Sequence, residues 1–227
     1  EPRKPRAAIH SEPAMSGWEW IAAHLDDIAA ATRDHVVLTV VAVGVGFAIS
    51  FATALLIHRD RRVYTPVTAV AGLLYTIPSL ALFAILVPIT GLSVLTAEIG
   101  LVSYTLLILV RNIVAGLDAV PPEAREAAAG MGYSGLGRLW RVELPLALPV
   151  VVAGLRIATV TTIGLVMVTA LIGEGGLGQL MLRGFTLGNY TAVYVGTAIS
   201  IGLAVVADLL LLGVLRLATP WRRALER

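Results

Sequence analysis

EAREAAAGMGYSGLGRLWRVELPLALP, residues Glu123–Pro149, is a charged cassette punctuated by alanine and glycine in an otherwise apolar chain of mean hydropathy +0.85. Pro121 and Pro122, just ahead of it, cannot continue a preceding helix but suit the first turn of a new one. Glu123 and Glu126 then place negative charge near the positive end of that helix. Ala127, Ala128 and Ala129 favour helix and keep one face nearly flat, whereas Gly130 and Gly132 stop it and permit close backbone approach. Ser134 caps a second short amphipathic helix carrying Leu136, Leu139 and Trp140, expected to end at Leu144 and Pro145. Pro149 follows four residues later. Two prolines that fix φ and delete backbone donors make a stiff elbow at the entrance to the next apolar run. The product is a rigid lever with an apolar helix as its base, an object suited to transmitting force.

The runs on either side set the context. Of 227 residues, 57% are hydrophobic and only 14% charged, the composition of an integral membrane protein. A hydrocarbon core of about 30 Å takes about 20 residues of helix, because every backbone N–H and C=O must be satisfied within the segment. Five stretches qualify: Val36–Ile57, Val67–Ile89, Ile99–Leu117, Leu146–Ile172 and Thr191–Leu215. None alternates as a barrel strand would. Cysteine is absent, which excludes disulfides and thiolate metal sites. His10, His24, His35 and His58 are scattered without ligand spacing, so no metal is expected, and a net charge of +2 gives no reason to expect nucleic acid. Lys4 is the sole lysine. A phosphate-binding G-x-x-x-x-G-K-[ST] loop is therefore impossible, and any ATP must be bound and hydrolysed by another chain.

Basic residues orient the spans. The loop His58–Pro66 carries Arg59, Arg61 and Arg62; the cassette carries Arg125, Arg138 and Arg141; the tail carries Arg222, Arg223 and Arg227. The connectors Thr90–Glu98 and Gly173–Tyr190 carry Arg183 alone. The cassette and C-terminus are thus expected in the cytoplasm and the N-terminus outside, where Arg3, Lys4, Arg6 and Arg33 are accompanied by six acidic residues. Residues 1–15 have the proline and charge content of a disordered tail or an upstream remnant. Residues 16–34 form an amphipathic helix, with capping-box spacing at Ser16 and Glu19 and a stripe of Trp18, Ile21, Leu25 and Ile28. It either lies in the outer interface or simply leads into the first span. Residues 35–219 make the five-span domain, with a cytoplasmic loop over 119–145, and 220–227 a cytoplasmic tail.

The cassette resembles the permease subunits of binding-protein-dependent ABC importers, whose cytoplasmic loop reads E-A-A, three residues, G, nine residues, I-x-L-P. Glu126-Ala127-Ala128, Gly132 and Val142-x-Leu144-Pro145 meet every position, with Val for Ile as the one departure. Tyr75–Phe83 (YTIPSLALF), Val110–Asn112 (VRN), Val142–Val160 and Ile172–Gly184 (IGEGGLGQLMLRG) are similar to the osmoprotectant branch, permeases for glycine betaine, choline, carnitine and related quaternary amines. The likeness runs from about Thr39 to Leu217. Glu174 departs from it, standing where the branch has a small residue. The GGLG stretch also resembles methionine-type importers, which rank second. The resemblance implies an all-α membrane protein with the five-helix type I importer fold, in which Glu123, Arg125, Glu126, Ala127, Ala128, Gly130, Met131 and Gly132 belong to a coupling helix docked on an ATPase. It implies two ATPase subunits holding ATP and Mg, a second permease subunit (homodimer or heterodimer), an extracytoplasmic solute-binding protein, no cofactor in this chain, and a bacterial or archaeal inner membrane.

Charged groups inside apolar spans are functional candidates by default. Arg111 lies about 10 Å into its span, and Arg156 and Asp208 about 14–17 Å into theirs, at 1.5 Å per residue. With Asn112 they form a candidate polar cluster in which Asp208 pairs with Arg156 or with Arg111. Pro78 is expected to kink the second span and free the Leu74 carbonyl, beside Tyr75, Thr76 and Ser79, which suit either a solute path or helix packing. Glu174, Gly175 and Gly176 form either an outer re-entrant gate or a flexible loop. Aromatic residues are only 6% of the chain and too dispersed for a cation–π cage. An ion-coupled secondary transporter using Arg111, Arg156 and Asp208 is the rival from another class, and it lacks the inverted repeat such folds carry. A membrane anchor that transports nothing is the third possibility.

Overall fold

The computed structural model describes residues 17–220. The expected tail 1–15, the Ser16 cap and residues 221–227, including Trp221, lie outside that range. Among the described residues every regular element is helical: α1 Gly17–Ala23, α2 Leu25–Arg59, α3 Tyr64–Thr76, α4 Ser79–Thr90, α5 Val94–Asp118, α6 Pro122–Gly130, α7 Gly135–Arg138, α8 Leu144–Val166, α9 Leu177–Thr186 and α10 Tyr190–Ala218, with short 3₁₀ turns at Arg61–Val63 and Val168–Ile172.

Among the described residues, four helical stretches are long and apolar enough to cross a membrane: Leu25–Arg59, Val94–Asp118, Gly135–Ile172 and Tyr190–Ala218. The first departs from expectation at its start. No boundary falls between residues 34 and 35, because nothing from Leu25 to His35 can stop a helix, and α2 runs 35 residues without interruption. Only His24 separates it from α1, and the backbone bonds His24 N–H to Trp20 O and Ile28 N–H to His24 O bridge that gap.

The second expected span is broken rather than kinked. α3 and α4 meet at 97°. Ile77 takes extended dihedrals, φ −65° and ψ 126°, the conformation that a following proline imposes by steric clash. Pro78 then caps α4. The Tyr104 hydroxyl donates to the Ile77 carbonyl, satisfying the backbone oxygen at the corner.

α5 is the central helix, packed against α2, α3, α4 and α8. One core cluster joins Ala54 and Ile57 of α2, Leu109, Ile113 and Leu117 of α5, and Ala147 and Val151 of α8. A second, nearer the other end, gathers Leu38, Ala42, Phe83, Leu101 and Val166. Close approach of α5 and α8 depends on Gly154, where a Cβ would fall 2.7 Å from Asn112 Cγ. α10 packs on α8 and α9 and leaves Ile201, Val205, Leu209 and Leu210 exposed.

Candidate coupling and translocation sites

α6 is built as the prolines dictate. Pro121 is its N-cap and Pro122 its first residue, with Glu123 in the first turn. At the other end Gly132 takes φ +83°. Gly132 N–H donates to Ala129 O (2.9 Å) and Tyr133 N–H to Ala128 O (3.1 Å), closing the helix with a left-handed glycine. Only Ala128 of this helix is buried. Glu123, Glu126, Ala127, Gly130 and Met131 are exposed, and their spacing of three and four residues places them on one stripe. Arg125 instead turns inward, donating from its terminal nitrogen to the Leu117 carbonyl at 2.6 Å. Of the eight residues expected on the coupling helix, Arg125 and Ala128 therefore anchor it while the others face outward. An open recess of about 630 Å³, lined by Met131, Gly132, Tyr133, Ser134, Gly137 and Arg141, borders its end.

Ser134 caps α7 as expected, accepting from Gly137 N–H at 3.2 Å. The second short helix does not end at Leu144–Pro145. Leu139–Glu143 forms a π-helical turn that runs directly into α8, with Pro145 in the first turn and Pro149 inside. Leu144 N–H reaches back five residues to Leu139 O. Proline would clash with the carbonyl four residues before it in an α-helix, and the wider turn relieves that clash. The elbow residues thus stiffen a continuous helix.

That turn buries Glu143 completely. Arg138 Nε donates to its Oε1 at 2.7 Å. Arg125 Nε stands 3.6 Å from Oε2, and His58 Nε2 3.3 Å from the same oxygen. Sequence reasoning missed this hub. Its one signal is an acid at the start of an apolar run just after two arginines, Arg138 and Arg141, which requires a partner if buried. Nearby, Arg61 of the first loop makes a bidentate pair with Asp118 at the end of α5 (3.0 and 2.6 Å), which pushes its guanidinium pKa further up.

Within the bundle, Arg156 of α8 and Asp208 of α10 form a bidentate pair, 2.7 Å at both contacts. Of the two alternatives for Asp208, Arg156 is the partner. Arg111 is exposed and stands apart, and Asn112 donates to Ile108 O at 2.8 Å while packing at Gly154. The four residues do not form one cluster.

The bend residues gather at the α3–α4 corner. Tyr75 meets Tyr104 edge-on with ring centroids 6.0 Å apart, and Thr76 donates to Leu73 O at 2.8 Å. Pro78 and Ser79 begin α4. Glu174, Gly175 and Gly176 lie elsewhere, at the end of the bundle shared with α1 and α9. Gly175 (φ +144°) and Gly176 (φ +46°) pack so closely that a Cβ on Gly176 would stand 2.5 Å from the His35 backbone nitrogen. This turn is wedged against the α2 backbone at Ala31 and His35. It borders a cavity of about 670 Å³ with Trp20, Asp27, Gln179 and Arg183 on other walls. His35, fully buried, points Nε2 at the Ile163 carbonyl (3.1 Å), a tie between α2 and α8 that the scattered histidines did not suggest.

Comparison with known proteins agrees with this architecture. The family of binding-protein-dependent transport system inner membrane components matches residues 44–217. The chain is 40% identical to the osmoprotectant import permease protein OsmW of Salmonella typhimurium over 81% of its length and 88% of the relative's. It is 37% identical to the glycine betaine/carnitine/choline transport system permease protein OpuCD of Bacillus subtilis, over 78% of each chain. Among solved structures, an inward-facing form of the MetNI methionine ABC transporter shares the fold at TM-score 0.76 and 22% identity, covering 87% of this chain and 98% of that one. The long apolar helices, the glycine-terminated cassette and these likenesses together make the chain a multi-pass member of the binding-protein-dependent transport system inner membrane components, the permease subunits of ABC importers.

Proposed function

We propose that this permease serves an ATP-driven importer of osmoprotectants, solutes of the quaternary-amine type such as glycine betaine, choline or carnitine. The observation that carries the reading is the 40% identity, over four-fifths of the chain, to an osmoprotectant import permease. The methionine alternative has weaker support, since the likeness to the methionine transporter is one of fold at 22% identity.

Two such permeases, identical or closely similar, sit on two ATPase subunits that hold ATP and Mg, and receive solute from an extracytoplasmic binding protein. The N-terminus is outside and the C-terminus in the cytoplasm, as the arginine-rich loops favour. The exposed stripe of α6 with Gly132 is the docking face for the ATPase, and Arg125 and Ala128 fix α6 to the bundle. Closure of the ATPases moves α6, and the spans alternate access to the solute. The Arg156–Asp208 pair holds α10 to α8, the Tyr75–Ser79 corner lines or packs the path, and the Glu174–Gly176 turn stands at the outer gate.

Uptake of labelled betaine, choline and carnitine into vesicles containing the permease and binding protein, with and without the ATPase subunit, tests this. Uptake that requires the ATPase and ATP is expected. Uptake driven by an ion gradient without the ATPase would instead favour a secondary transporter, and methionine bound in preference to betaines by the cognate binding protein would overturn the substrate class.

A further inference from the structure

We propose that Glu143 is the positioning residue through which displacement of α6 reaches the first span, α2. The inference rests on the reading of α6 as the docking element.

α6 has little apolar grip on the bundle, since Ala128 is its only buried side chain and presents a single methyl group. What ties it down is polar. Arg125 reaches both the Leu117 carbonyl at the end of α5 and the Glu143 carboxylate at the base of α8. Glu143 Oε1 is hydrogen-bonded by Arg138 of α7, whereas Oε2 has no hydrogen bond and is faced by Arg125 Nε of α6 at 3.6 Å and by His58 Nε2, from the last turn of α2, at 3.3 Å. One carboxylate therefore joins the ends of four elements.

Because Glu143 is fully buried, its charge cannot be taken over by water when an arm moves. Arg138 holds Oε1 in place, and a buried carboxylate oxygen left without a polar neighbour is costly, so Oε2 follows the two nitrogens that face it when either moves. Displacing Arg125 alters the oxygen that faces His58. The π turn supplies the geometry, since it turns Glu143 inward at the point where α7 enters α8. Motion of α6 is passed to α8 along the helix and to α2 through this carboxylate.

The test uses the assembled transporter in proteoliposomes and reads solute imported per ATP hydrolysed, ATPase rate and ATPase retention. Glu143→Gln keeps shape and removes charge. His58→Gln cuts only the α2 arm, at a side chain 28% exposed, and is expected to fold. In both variants the ATPase subunits remain bound and hydrolysis stays within about twofold of the unaltered transporter, while solute per ATP falls about tenfold for Glu143→Gln and about threefold for His58→Gln. Glu143→Asp restores part of the ratio. An unchanged ratio in His58→Gln overturns the proposal, as does a Glu143→Gln transporter in which assembly, hydrolysis and uptake fall together at constant ratio. Should Glu143→Gln not fold, His58→Gln and Arg125→Gln decide by the same ratio. Failure of the unaltered permease to retain ATPase subunits would instead defeat the docking role of α6.

Discussion

Gly132 separates backbone strain from lost docking. Its φ of +83° belongs to the left-handed region, which disfavours a side-chain-bearing residue by about 1–2 kcal/mol. Among the described residues, nothing besides its two chain neighbours lies within 4 Å of the position its Cβ would take, so added bulk meets no neighbour there. Gly132→Ala carries the strain and one methyl. Gly132→Asn carries bulk with less strain, because asparagine tolerates this region. Gly132→Trp carries strain and a volume that only a docked partner would meet. A penalty of 1–2 kcal/mol shifts the balance between the native turn and its alternatives by about 5–30-fold. The assay is co-purification of the ATPase subunit across a range of its concentration, with ATP-driven uptake measured in parallel. Gly132→Asn should retain most docking, Gly132→Ala should need more ATPase to reach the same occupancy, and Gly132→Trp should fail at every concentration. The thermal midpoint of each purified permease should fall by at most about 8 °C, which rules out global unfolding as the cause. Gly130→Ala, in a helical position with open space around it, should be tolerated. A Gly132→Trp permease that still holds its ATPase and imports solute would refute docking at this turn.

Asp208→Ala strands Arg156 in the bundle, so the yield of monodisperse detergent-extracted protein should drop. The exchanged pair Arg156→Asp with Asp208→Arg should recover it, and equal yields for Asp208→Ala and the unaltered chain would contradict the pairing. Gly176→Ala places a methyl against the backbone of Ala31 and His35, where no rotamer change gives relief. A loss of about 3 kcal/mol is expected, read as a lowered thermal midpoint. Tyr104→Phe leaves the Ile77 carbonyl at the α3–α4 corner without its donor and should destabilise by about 1–3 kcal/mol in the same measurement.

Much of this fold is legible because membrane spans are written as composition. Ile99–Leu117 and Thr191–Leu215 fall inside α5 and α10; α5 starts five residues earlier because its N-cap Ser93 lies ahead of the apolar run, and α10 starts one residue earlier, behind its N-cap Asn189. The ends of α6 follow from Pro122 and Gly132, whose dihedral preferences are local. The α3–α4 corner was visible as Pro78 but not in its size, since a 97° break needs Tyr104, a residue of another helix, to satisfy the exposed carbonyl. The Arg156–Asp208 pair was half legible: the cost of a lone charge demanded a partner, while the choice between Arg156 and Arg111 depended on which helices are neighbours. Glu143 escaped because its partners come from three elements, one of them far away in sequence. The π turn that aims it is a compromise with Pro145 that no propensity encodes.

That turn also sets an angular phase. One residue more than an α-helical turn rotates everything downstream by about 100° about the axis. The facing of α8, with Arg156 toward α10 and Gly154 toward Asn112, is thus geared to α6 and α7 through a single surplus residue. Straightening that turn into an α-helix with every residue kept would leave each segment helical and put the upper and lower halves out of register, like a key whose teeth are intact but whose bow has been turned.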